Sequence, residues 1–185
     1  IYDEEIPSKS DSVIFVVDIS GSMNGDARSY TALDGSTAYG SRLDRAKTEL
    51  VKAVSALACG FEFNVFAFGC NTSRWSDVKR LAVPCEKASA CAWVEALQAD
   101  DATGTGPAVA LALGDKTNLT LVLLSDGDPN CPWSMGGHDA HLRMIEAANT
   151  QDARIHCFGI ACHGEFEQFM RAVASTSGGR YVPVP

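Results

Sequence analysis

Five stretches of strand length are apolar against a polar background: 12–18 (SVIFVVD), 61–68 (FEFNVFAF), 119–126 (LTLVLLSD), 154–160 (RIHCFGI) and 180–184 (RYVPV). They are rich in Val, Ile and Phe, and several are apolar at consecutive positions. That is the pattern of strands covered on both faces in a parallel sheet. Between them the period lengthens to that of a helix. From Ser41 to Gly60, the residues Leu43, Ala46, Leu50, Val54 and Leu57 share one face. Ser41 stands where it can cap this helix, Asp44 follows three residues on, and Gly60 is placed to end it. Further helices are predicted over 85–99 after Pro84, over 106–114, over 138–150 and over 165–179; in the last, Phe166, Phe169, Met170 and Val173 form the apolar stripe. Segment 77–84 (DVKRLAVP) reads as a short charged edge strand closed by proline, and 30–40 (YTALDGSTAYG) as a loop. Strands alternating with helices imply right-handed βαβ crossovers. The expected fold is α/β: a doubly wound, mostly parallel six-stranded sheet with one antiparallel edge strand and helices on both faces. Residues 12–185 make up this domain. Residues 1–11, polar and acidic, read as a linker or domain boundary, so the chain is expected to be part of a larger multidomain protein.

Composition narrows the partners. At 46% apolar and 21% charged residues, the chain has the balance of a globular domain. No apolar run approaches the ~20 residues that span a bilayer, and no signal-like leader opens the chain, so direct membrane insertion is not expected. The net charge of −8 repels phosphate backbones, which argues against nucleic acid and toward metal cations or basic protein patches.

The chemistry lies where the strands end. In a doubly wound sheet, ligands bind beyond the carboxyl ends of the strands. Asp18 ends the first strand and is followed by Ser20 and Ser22, which point the same way in an extended turn. The segment 102–107 (ATGTGP) brings Thr103 and Thr105 to the start of a helix, and 123–130 (LLSDGDPN) ends the third long strand with Asp126. Two carboxylates converging there repel unless a cation lies between them. Carboxylates and hydroxyls are hard oxygen donors, suited to Mg²⁺, Mn²⁺ or Ca²⁺ and not to zinc. With only two carboxylates in the set, octahedral Mg²⁺ is favoured.

These residues carry a family resemblance. DISGS (18–22) resembles the D-x-S-x-S of the von Willebrand factor type A domain and the related integrin inserted domain. TGTGPAVALAL (103–113) resembles that family's G-G-T-x-x-x-x-A-L segment, with Thr103 in place of its first glycine. LLSDGDPN resembles its strand-ending S/T-D-G, and SGGRYV (177–182) its last helix-to-strand turn. The resemblance implies a metal-ion-dependent adhesion site: Ser20 and Ser22 as direct ligands, Thr105 direct or through water, Asp18 and Asp126 often through water. Thr105 is preferred to Thr103 because counting from it places Ala110 and Leu111 on the family's A-L. One position on the metal stays open for a carboxylate supplied by a partner protein. The resemblance also implies that the last helix, 165–177, shifts when the metal's coordination changes. The expected role is metal-dependent protein binding, as an adhesion or scaffolding module. The alternative is a structural assembly module in which metal only stabilises loops. A metal-dependent hydrolase is the weaker rival, because G-x-S-x-G and phosphate-loop motifs are absent and no general base is placed; the chain is therefore expected not to be an enzyme.

Several remaining residues need a role. Trp133, on a Gly- and Pro-rich loop after the metal-site loop, is a candidate partner contact, as are Asp128, Met23 and Tyr30. Trp93 reads as core. His138 and His141 read as the solvated start of a helix, and His156 alternates with Cys157 along a strand. The seven cysteines contain no C-x-x-C pair, which argues against a zinc ribbon. Sorted by strand direction, Cys70, Cys131 and Cys162 lie on the metal-site edge, and Cys59, Cys85 and Cys91 toward the opposite one. This permits a Cys131–Cys162 bridge and a pairing of Cys59 with Cys85 or Cys91, with Cys157 a buried thiol. Bridges of that kind favour an extracellular, cell-surface or periplasmic setting over the cytoplasm. Asn71-Thr72-Ser73 and Asn118-Leu119-Thr120 match the N-glycosylation pattern.

Overall fold

The computed structural model of the chain describes residues 1–2, 6–99 and 102–185. Strands β1 (Ser12–Asp18), β4 (Glu62–Phe68), β7 (Thr120–Ser125), β8 (Arg154–Ile160) and β9 (Tyr181–Val184) form the parallel part of one sheet, in the order β4-β1-β7-β8-β9. The chain steps from β1 to β4 on one side and later to β7 on the other, so the order reverses at β1. That reversal opens a crevice at the carboxyl end of β1, where Asp18 sits.

Both faces of the sheet are covered. Val13, Phe15 and Val17 of β1 point into one apolar layer with helices α1 (Arg42–Ala56) and α2 (Pro84–Glu95). Ile14 and Val16 point into the other, with α3 (Thr105–Ala112), α4 (His138–Ala148) and α5 (Glu165–Thr176). Helix α1 begins as its sequence indicates. Ser41 accepts a hydrogen bond from the Asp44 backbone N–H, and the Asp44 carboxylate accepts one from the Ser41 backbone. Those bonds to Ser41 hold the Asp44 carboxyl below its usual range, despite some burial. Its far end comes early: the Leu57 N–H bonds the Val54 carbonyl, ahead of Gly60.

Three expectations are corrected. The 30–40 segment is not a loop: β2 (Asp26–Thr31) and β3 (Thr37–Ser41) form an antiparallel hairpin. Its turn is closed by Ala32 N–H to the Ser36 carbonyl, with Gly35 at φ 84° and Asp34 accepting from Ser36. The hairpin is mostly solvated on both sides, so it lacks an apolar alternation; the Asp34-Gly35 dipeptide was its one signal. The antiparallel edge is two short pieces along β4, β5 (Thr72–Arg74) and β6 (Arg80–Leu81), which makes a seven-stranded sheet. Third, the disulfide is Cys70–Cys131, with Cα atoms 5.3 Å apart, whereas Cys162 is a buried thiol that donates to the Ser125 carbonyl. Cys59, Cys85 and Cys91 are free. The reason lies in the loops. Gly104 N–H bonds the Gly69 carbonyl, and Cys131 N–H bonds the Thr103 carbonyl. This brings the carbonyls of Cys70 and Cys131 to either side of Gly104, where a Cβ would lie 3.2 Å and 3.4 Å from them. Strand direction alone could not separate these adjoining loops.

Other details bear on the sequence reading. Trp93 is half-buried against the α1/α2 layer, and Trp75 stacks on Phe63 at 5.1 Å between ring centroids. His156 and Cys157 are both buried because each face of β8 is covered. Asn118 is also buried: its side chain accepts from Ser12 and donates to the Thr120 carbonyl. Asn71, in the β4–β5 turn, is exposed. Among the described residues, no helix is long and apolar enough to cross a membrane.

Candidate functional site

Asp18, the last residue of β1, is fully buried. One carboxylate oxygen accepts the Ser20 backbone N–H at 2.7 Å, and the other accepts the Ser125 hydroxyl from the neighbouring strand. Burial pushes its carboxyl up to about 7; the Asp126 charge adds to the rise, and the bonds from Ser125 and Ser20 oppose it. After Asp18 the chain makes a 3-10 turn over Gly21–Asn24. Met23 anchors this turn, with its side chain 0% exposed in the core. It is therefore not on the surface where a partner contact was expected.

The turn presents the hydroxyls of Ser20 and Ser22, 3.0 Å apart. Ser22 donates to Asp126 Oδ1 at 2.7 Å, and Arg42 Nη1 donates to Asp126 Oδ2 at 2.6 Å. Gly127 lets the chain pass close by: a Cβ there would stand 3.3 Å from Ser22 Oγ, 3.4 Å from Thr103 Oγ1 and 3.7 Å from Asp18 Oδ2. Thr105 opens α3, and its buried hydroxyl has no hydrogen-bond partner. A buried hydroxyl left without a partner is costly, and a cation bound within its reach would satisfy it. The donor set thus fits a hard divalent ion. Among the described residues, no group of three or more His, Cys, Asp and Glu side chains gathers to hold a metal, so hydroxyl oxygens are essential to this reading.

Sequence reasoning missed Arg42 and Ser125. Arg42 occupies the first turn of α1, where the helix dipole disfavours a cation. That mismatch was the available signal, and the Asp126 carboxylate accounts for it. Ser125 is a lone hydroxyl at the end of an otherwise apolar strand.

The remaining candidates lie around this edge. Asp128 Oδ1 is 2.6 Å from His138 Nε2, and the His138 ring stacks on Phe169 at 5.4 Å. His138, the first residue of α4, is partly exposed there, whereas His141 is fully buried, its Nδ1 accepting the Gly106 N–H, and so is not part of a solvated helix start. Trp133 is 86% exposed on a short turn beside a cavity of about 370 Å³ that Asp128 and His138 also line. Tyr30 lies half-buried on the hairpin.

A crevice where the strand order reverses, with Asp18 and Asp126 beside the Ser20 and Ser22 hydroxyls, is the layout of a doubly wound α/β domain. The von Willebrand factor type A domain model matches residues 11–182, and the chain belongs to that family. Members of this family generally serve as protein-interaction modules. The chain is 29% identical over 154 residues to the human von Willebrand factor A domain-containing protein 3A, covering 80% of this chain and 12% of that protein. It is 28% identical over 138 residues to mouse inter alpha-trypsin inhibitor heavy chain 4, covering 68% and 13%. The chain thus spans a small fraction of the curated relatives it matches. Among solved structures, a von Willebrand factor type A protein from Catenulispora acidiphila superposes with a TM-score of 0.72 at 20% identity, over 94% of this chain and 38% of that one; at that identity the likeness shows the fold alone.

Proposed function

We propose that this domain binds a partner protein through one Mg²⁺-class cation held by Asp18, Ser20, Ser22, Thr105 and Asp126, with a partner carboxylate completing the ion's coordination. The observation that carries this reading is the Thr105 hydroxyl at the start of α3, buried and without a partner among the described residues. The ion would fix the approach of a carboxylate through a charge-assisted contact, with no bond made or broken in the partner. What this chain's own residues supply is orientation: Ser125 and the Ser20 N–H pin Asp18, and the Met23 anchor fixes the two serines.

One feature favours a variant of the second reading, a structural assembly module whose loops are held without metal. Arg42 already neutralises Asp126 through an ion pair whose carboxylate is fully buried. A protein with an internal cation at this edge can keep its loops in place without metal.

Calorimetric titration of the purified chain with Mg²⁺, Mn²⁺ and Ca²⁺, alongside Asp18→Ala, separates the metal-dependent reading from that metal-free module. Saturable one-site binding by wild type and its loss in the variant support the metal-dependent reading. No heat beyond dilution in the wild type would remove it and leave the assembly module.

A further inference from the structure

Beside the cavity over the candidate metal centre lies a second one, also about 330 Å³, at the carboxyl edge of the sheet. The two share Arg42, Ala161 and His163 as a common wall. The second is lined by Arg28 from the hairpin and by Arg42 and Arg45 from the first turn of α1. Asp26 is the only carboxylate side chain on its wall among the described residues, and its Oδ1 accepts the Arg28 backbone N–H at 2.9 Å. Three guanidinium groups and an imidazole thus surround a single acid.

This concentration runs against the chain as a whole. The net charge is −8, with 15 Lys and Arg against 23 Asp and Glu. An acidic ligand is repelled by the overall field, and a basic concavity is where that field is locally reversed. The arginines also keep free donors. Arg42 uses Nη1 on Asp126 and keeps a further terminal amino group, while its buried Nε has no partner among the described residues. Arg45 bonds the Pro185 carbonyl through Nη1 and lies over the Tyr2 ring, which fixes its plane. Arg28 forms no ion pair among the described residues and is held at φ 57° beside the irregularity in the hairpin ladder between Asp26 and Ser29. A non-glycine residue in that region is uncommon, and here it carries a charged side chain to the rim of the cavity. Guanidinium forks match carboxylates in a planar, two-bond geometry.

We infer that the cavity walled by Arg28, Arg42 and Arg45 takes a second carboxylate of the partner, so that the recognised segment is an acidic peptide with two acidic side chains, one over the metal centre and one in the arginine cavity. The inference rests on the reading under Proposed function for the first carboxylate and on the shared wall for the second. Arg42 couples the two positions, since it touches Asp126 on one side and lines the second cavity on the other.

The test uses immobilised short peptides on a Gly/Ser background, carrying one Glu or two Glu at graded spacings, with Gln counterparts. They are probed with the labelled chain in millimolar Mg²⁺ and again in chelator. At one spacing, the two-Glu peptide should bind about tenfold more tightly than any one-Glu peptide. Arg28→Gln/Arg45→Gln should abolish that advantage while leaving one-Glu binding unchanged, and Arg28→Lys/Arg45→Lys should keep part of it. Thermal unfolding verifies that each variant is folded. Two-Glu peptides binding no better than one-Glu peptides, or an advantage that persists in the folded Gln variant, would overturn the inference and leave the metal reading intact. Binding unaffected by chelator would overturn the metal reading; if the two-Glu advantage still vanished in the Gln variant, the arginine cavity would stand on its own. No binding by any peptide would overturn the inference.

Discussion

Thr105 offers the sharpest residue-scale test because the two readings of the edge give it opposite consequences. Its hydroxyl is buried without a partner. Thr105→Val replaces that hydroxyl with a methyl group of nearly the same volume. In chelator the variant should be more stable than wild type by about 1 kcal/mol, since an unsatisfied buried group is removed. In Mg²⁺ it should bind the ion at least several-fold more weakly. Chemical denaturation and calorimetry read the two effects separately. A loss of stability in chelator would show that the hydroxyl is already satisfied within the fold. Asp18 and Asp126 draw notice in the sequence because each ends an apolar strand, Ser20 and Ser22 because of their spacing after Asp18, and Thr105 over Thr103 only through the family resemblance. Arg42 does not, because its role depends on Asp126, 84 residues further along the chain. Met23 looked like surface because it follows the motif on a polar turn, yet it packs into the core.

Among the elements, legibility followed burial. The central strands and α1 were readable because alternation or periodicity marks what is covered. The β2–β3 hairpin and the β5 and β6 pieces are mostly exposed, so they leave almost no apolar trace. The disulfide was misassigned because pairing depends on which loops touch, and the Gly69–Cys70, Thr103–Gly104 and Asn130–Cys131 loops are joined by backbone hydrogen bonds that no pattern announces. Cys70–Cys131 spans 61 residues of sequence and ties the end of β4 to the loop after β7. Replacing both cysteines by serine should lower unfolding stability by about 2–4 kcal/mol through the freed chain entropy of the unfolded state. Denaturant unfolding of the oxidised wild type against the double variant measures it. A difference near zero would mean that the hydrogen-bonded loops alone hold this corner together.

Over the molecule as a whole, buried imidazoles make stability respond to acid. His156 lies in β8 with its Nδ1 accepting the Arg180 N–H, and burial holds its pKa below the ordinary value. The Arg180 and Arg154 charges add to this, and the nearby Pro7 backbone opposes it. The folded state therefore keeps His156 neutral, while the unfolded chain takes up a proton near pH 6.5. The stability it contributes is complete above that pH and declines as pH falls below it. Asp18 acts in the opposite direction over part of this range, since its folded pKa lies near 7 and protonation favours the folded state. Comparing wild type with His156→Gln isolates the histidine: the stability difference between them should move against the wild type as pH drops from 7 to 5. A difference that stays constant with pH would show His156 to be equally protonated in both states.

Asn118 closes the lower end of the sheet by bonding Ser12 and the Thr120 carbonyl from a site without solvent access. A sugar tree cannot be accommodated on an amide that is packed in this way. In a eukaryotic secretory host, correctly folded protein should therefore leave the cell with oligosaccharide on Asn71 alone, and any molecule modified at Asn118 should be retained by quality control. Mass spectrometry of secreted material before and after endoglycosidase treatment would show this as a single occupied position.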